Sequence, residues 1–117
     1  MDDTASYLSR IFHIVRRPSP RGVHSMLPLF IDMRLRKVVV FGGGQVGLRK
    51  ARFFAKEADV VVVSRHFCEG FDTSEVQIVE EDALERLVEW VGWADLVIAC
   101  TDDDAVNSAI VNQAVAT

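Results

Sequence analysis

Two kinds of block alternate along the chain. Lys37–Phe41, Ala58–Val63, Val76–Val79 and Ala94–Cys100 are short and mostly apolar, with the β-branched composition of buried strands. The stretches between them repeat apolar residues at three- and four-residue spacing, the period of an amphipathic helix. Gln45–Lys56 is predicted as the first helix, with Gly47, Ala51, Phe54, Ala55 and the following Ala58 turned to the sheet and Arg49, Arg52 and Lys56 on other faces. Glu81–Val91 is predicted as the second. Leu84, Leu87, Val88 and Val91 face inward, Asp82 complements the helix dipole, and Gly92 stops the helix. Ala105 to about Ala114 is predicted as the third, with Val106, Ile110, Val111 and Ala114 as its stripe and Asp103 or Asp104 as its N-cap. Phe67–Thr73 is a loop or a short helix. Strands alternating with helices predict an α/β fold, a parallel sheet with helices on both faces. The pattern stops just after a helix, so a further strand is expected and the domain reads as truncated.

The flanks behave differently. Residues 1–25 carry a broken amphipathic pattern, interrupted by Pro18 and Pro20, and no signal-peptide core. Asp2 and Asp3 speak against an organelle leader, and the stretch is expected to be a mobile extension. The compact pattern begins just after Met26, itself a plausible start. Leu27–Ile31 is apolar but holds Pro28, which suits a lead-in or edge strand. Asp32–Arg36 makes a polar turn. The domain proper is therefore expected over 26–117.

The chemistry lies where the first strand meets the first helix. Gly42-Gly43-Gly44 follows Phe41, and with Gly47 it completes a GxGxxG pattern between a strand and a helix. In a dinucleotide-binding unit the first glycine makes the tight turn. The second lets the backbone approach the pyrophosphate, and the third lets helix and strand pack closely. The first-turn N–H groups of the helix have no partner within it and favour an anion.

Composition narrows the partners. The chain has 117 residues and a net charge of −4. Of its 13 Lys and Arg, 11 lie at or before Lys56, and of its 17 Asp and Glu, 14 lie at or after Glu57. A net acidic chain without interleaved basic and aromatic residues gives no support for nucleic acid binding. No apolar run reaches the ~18 residues that would span a bilayer. Cys68 and Cys100 form no CxxC pair and read as reduced thiols in a cytoplasmic protein.

Ligands of parallel sheets sit at the carboxyl ends of the strands. Three stretches qualify: Gly42–Val46, Ser64–His66 and Cys100–Asp104. About 20 residues beyond the glycine turn an acid normally binds the adenosine ribose. Here Ser64 and Arg65 occupy that place. Ser64 can hydrogen-bond a ribose hydroxyl; Arg65 can stack on adenine or meet a 2′-phosphate, which leaves NADP open. His66 is a loop histidine or part of the adenosine pocket. Thr101 is placed near the nicotinamide ribose, and Asn107 can face the same cleft. The run Asp102-Asp103-Asp104 reads as helix capping rather than a metal site. No catalytic pair is visible.

The segments LPLFIDM, KVVVFGGGQVGLRKARFF, ADVVVVS and ADLVIACTDDDAVNSAI together closely resemble the amino-terminal domain of the sirohaem synthase group. These are the precorrin-2 dehydrogenases, some of which are also sirohydrochlorin ferrochelatases. The resemblance implies NAD-dependent oxidation of precorrin-2 to sirohydrochlorin by a homodimer. It implies that Gly42, Gly43, Gly44, Gln45 and Val46 form the pyrophosphate turn, that Ser64, Arg65 and His66 lie on the adenosine side, and that Thr101 and Asp102 lie near the nicotinamide. The family's proposed catalytic aspartate belongs to an Asn-Val-Val-Asp strand after the last helix seen here. The chain as given is thus expected to bind cofactor without turning over. Arg49 and Lys50 are candidates for holding the substrate's carboxylates. The family's usual glycine before Ala58-Asp59 is missing, so the helix end is expected to be strained or shortened. The other reading is a nucleotide-sensing Rossmann module, as in the domains that gate potassium transport.

Overall fold

A computed structural model describes residues 30–73 and 75–116. The fold below is that of Met33–Thr117, one of the two units into which the chain divides. The extension expected over 1–25 lies outside the described residues, as do residues 27–29 of the lead-in; Phe30 and Ile31 carry no regular structure.

The sheet has four strands: β1 (Lys37–Phe41), β2 (Asp59–Ser64), β3 (Gln77–Glu80) and β4 (Leu96–Ala99). All pairings are parallel and the spatial order is β3-β2-β1-β4. The helices are α1 (Gln45–Ala55), α2 (Leu87–Trp93) and α3 (Asp104–Ala116), with a 3₁₀ turn at Phe71–Thr73. Strand order reverses at β1, which places the switch point, where ligands of such sheets bind, at its carboxyl end.

β1 and β2 are buried on both faces because both their neighbours and both helix layers cover them. Alternate residues feed two cores. Val38, Val40, Val60 and Val62 pack with Leu48 and Ala51 of α1 and with Phe71. Val39, Phe41, Val61 and Val63 pack with Ile110 of α3 and with Leu87, Trp90 and Trp93 of α2. Each fully buried valine contributes about 1.5–3 kcal/mol. The expected two-sided α/β sheet is the one observed.

The second helix departs from expectation. Helical geometry begins at Leu87, not Glu81, and runs through Gly92 to Trp93. Leu84 and Val88 point outward, 44% and 66% exposed, while Val91 is buried. The cause is Glu81. Its carboxylate accepts from Trp90 Nε1 at 2.6 Å and from Arg86 Nε at 3.1 Å. That anchor turns the Trp90–Trp93 side, not the Leu84–Val88 side, to the core. Asp82 caps a turn instead of a helix, accepting from the Leu84 N–H at 2.9 Å.

The end of α1 carries no strain. Lys56 is an ordinary right-handed residue, and the Phe54 carbonyl accepts from both the Glu57 and Ala58 N–H groups, at 3.1 and 2.9 Å. The helix stops one residue earlier than expected. A bifurcated close does the work of the absent glycine.

Candidate cofactor site

A cleft of about 630 Å³ opens at the carboxyl ends of β1, β2 and β4. It is lined by Gly42, Gly43, Gly44, Gln45 and Val46 from the turn, Ser64 and His66 after β2, and Thr101 and Asp102 after β4. Of the residues expected here, Arg65 does not line the cleft, and neither do Asn107 and Arg49. Cys100, the first residue of the expected Cys100–Asp104 stretch, lines it too, and so do Phe67 and Cys68, which the sequence did not single out as ligand contacts. The loop after β2 folds back so that the Cys68 N–H donates to the Gly43 carbonyl at 2.8 Å, which brings Phe67 and Cys68 to the cleft. The hint in the sequence was an apolar pair directly behind a polar strand end.

The glycines divide by what requires them. Gly42 has φ +137°, and a Cβ there would lie 2.5 Å from the Cys100 carbonyl oxygen. On Gly43 a Cβ would meet the His66 carbonyl oxygen, and on Gly47 the Gly42 carbonyl oxygen, each far inside contact distance. These three are demanded by the protein's own packing. Gly44 is not. Its φ is −86°, open to any residue, and a Cβ there meets nothing of the described residues within 4 Å.

Gly44 is also the N-cap of α1, and no side chain caps it. The first bond across this end of α1 runs from the Leu48 N–H to the Gly44 carbonyl at 2.9 Å. The N–H groups of Gln45, Val46 and Gly47 precede that bond and sit at the positive end of the helix dipole. A helix start with no side-chain cap, beside empty space that its residue type leaves free, fits a diphosphate.

The β4 side is built differently. Asp103 caps α3, its Oδ1 accepting from the Ala105 N–H at 2.9 Å and the Val106 N–H at 3.3 Å. Asn107 does not reach into the cleft as a free group. Its Oδ1 accepts from the Thr101 N–H at 3.0 Å and hydroxyl at 2.6 Å, and its Nδ2 donates to the Thr101 carbonyl at 3.0 Å. The amide therefore clamps Thr101 at the cleft wall. Ser64 is similarly engaged, its hydroxyl donating to the His66 carbonyl at 2.7 Å. Burial pushes the Cys100 thiol above its ordinary pKa, with the Lys50 ammonium acting against that rise.

Arg65 turns to a recess that adjoins the cleft at His66, which lines both, and that Glu80, Glu81, Asp82 and Glu85 also line. Its guanidinium lies 3.6 Å from the Asp82 carboxylate. Arg49 also leaves the cleft and lines a groove on the outer side of α1 with Arg52, Phe53 and Lys56.

Sheet order, glycine turn and strand-end cleft define a Rossmann-type dinucleotide-binding domain. Residues 29–117 match the family model NAD_binding_7, described as "Putative NAD(P)-binding", and the chain belongs to that family. It is 36% identical over 95 residues to a precorrin-2 dehydrogenase of Methanosarcina barkeri, covering 74% of this chain and 42% of that protein. It is 34% identical over 94 residues to a siroheme synthase of Sodalis glossinidius, covering 72% of this chain and 18% of that one. The chain thus spans less than half the length of these relatives. Among solved structures, SirC, a precorrin-2 dehydrogenase, superposes with a TM-score of 0.65 over 74% of this chain and 44% of its own, at 24% identity; that likeness shows the fold.

Proposed function

We propose that this protein oxidises precorrin-2 to sirohydrochlorin with NAD, the chain described here supplying the cofactor-binding part. The observation that carries the reading is Gly44: a glycine that no packing and no backbone angle requires, at a helix start without a side-chain cap. The names of the relatives give the substrate class. When bound, NAD supplies the acceptor for a hydride and so the means for a two-electron oxidation.

The chain's own residues have binding and orienting roles in this reading. The N–H groups of Gln45 and Val46 hold the pyrophosphate. His66, Phe67 and the Ser64 end of β2 border the adenosine half. Thr101, held by Asn107, borders the nicotinamide half together with Asp102 and Cys100. Lys50, close enough to act on the Cys100 thiol, is better placed than Arg49 to meet a carboxylate of the tetrapyrrole. The reading also makes the protein a cytoplasmic homodimer. No helix among the described residues is long and apolar enough to cross a membrane.

The test is formation of NADH from NAD and precorrin-2, followed by near-ultraviolet absorbance, alongside calorimetric titration of the chain with NAD and with ATP. Binding of NAD together with turnover by the protein supports the reading. Binding of ATP without NAD overturns it in favour of a nucleotide-sensing module.

A further inference from the structure

The end of β3 lies directly beside the end of β2. Ser64 pairs in register with Glu80, and the Glu81 N–H donates to the Ser64 carbonyl at 3.1 Å. In a fold of this order the adenosine ribose belongs at the end of β2. β2 itself offers no acid there, only Ser64 and Arg65. The neighbouring strand end brings four carboxylates, from Glu80, Glu81, Asp82 and Glu85, into the recess that Arg65 and His66 share.

These carboxylates are not equivalent. Glu81 is committed to Trp90 and Arg86. Asp82 reaches Arg65, the single permanently charged cation among the described residues lining the recess. Glu80 and Glu85 add further negative charge. A 2′-phosphate would carry close to two negative charges into this surrounding, and the one guanidinium available to it is already paired. A ribose hydroxyl meets no such repulsion and can donate to a carboxylate.

We infer that this protein selects NAD over NADP through the carboxylates at the end of β3, with Asp82 holding Arg65 away from a 2′-phosphate. The discriminating charge sits one strand over from its usual place and is contributed by a different segment. The inference rests on the cofactor reading of the cleft given above.

Calorimetric titration of the chain with NAD and, separately, NADP tests it. Asp82→Asn keeps the oxygen that caps the Leu84 N–H and removes the charge. The pair is exposed to solvent, Arg65 72% and Asp82 51%, so NADP binding is expected to tighten roughly twofold to fivefold, the scale of one solvent-screened charge. NAD is titrated in parallel, and the readout is the ratio of NADP to NAD affinity, which should rise. Adding Arg65→Ala to Asp82→Asn should remove most of the gain, because the freed guanidinium is what the phosphate would use. If the unaltered chain binds NADP as well as NAD, or if Asp82→Asn leaves their ratio unmoved while NAD still binds, the inference fails and the cofactor reading survives. Binding of neither dinucleotide takes down both.

Discussion

Two strand-to-helix turns open on the same cleft, and they are built on opposite plans. After β1 the turn is backbone throughout: glycines approach the Cys100 and His66 carbonyls, and α1 starts with no side-chain cap. After β4 the turn is side chain throughout: Asp103 caps α3, and Asn107 satisfies both the N–H and the carbonyl of Thr101. The second helix start is already answered by its own protein. The first has no side-chain cap among the described residues. Two helices with the same dipole thus differ in whether the dipole is available, and under the proposed reading the uncapped one faces the anionic part of the ligand.

Breaking the backbone-built turn should have the largest effect. Gly47→Val places its Cβ on the Gly42 carbonyl oxygen. We expect a loss of about 3 kcal/mol or more in stability, read from the urea midpoint at unchanged slope. Gly44→Asp separates folding from binding at the same turn. The aspartate fits the backbone and supplies the cap that α1 lacks, so stability should hold or rise by roughly a few tenths of a kcal/mol. Its charge takes the place of the diphosphate, and NAD affinity should fall roughly a hundredfold or more, the scale of a charge-assisted contact replaced by a repulsion. A stable Gly44→Asp chain with unaltered NAD affinity would remove the basis of the comparison.

On the side-chain-built turn the effects are smaller. Asn107→Ala leaves the half-buried Thr101 N–H and carbonyl without their partner. It should cost about 1–3 kcal/mol. Asp103→Ala loses only a cap, at about 1 kcal/mol. Neither should disturb the diphosphate end, so any fall in affinity should stay well below that of Gly44→Asp.

The smallest effect concerns pH. The Cys100 thiol is raised in the folded chain by burial, the Lys50 charge opposing it. The folded protein therefore holds this proton more tightly than the unfolded one. The associated stability is complete below the ordinary thiol pKa and is lost as pH climbs from there through the raised value. Cys100→Ala should flatten that alkaline decline relative to the unaltered chain in parallel urea titrations.

Much of the fold was legible because its signals are local. β1 and β2 are runs of β-branched residues, and the glycine turn between them is a matter of backbone sterics within a few residues. Asp103 was legible as a cap for the same reason. The second helix was not. From Leu87 to Trp93 the sequence is apolar at most positions, so several stripes fit equally, and Glu81, lying outside the helix, chose among them by binding Trp90. Leu48 went unnoticed as a core residue although it is 4% exposed; the loop that covers it, through Phe71, comes from beyond β2.

The site divides in the same way. Spacing along the chain brought the glycine turn, Ser64, His66, Thr101 and Asp102 to one edge, because parallel topology puts successive strand ends together. The direction of Arg65 was invisible at that level. A guanidinium after a strand reads as a phosphate ligand until its neighbour is known, and the neighbour, Asp82, arrives from another strand. Sequence alone determined the order of elements and the helix start left open for an anion, since both follow from nearest-neighbour geometry. Tertiary packing alone decided which side of α2 is buried, that Asn107 serves Thr101, and which charges face each other across β2 and β3, since each depends on partners brought together only by the sheet.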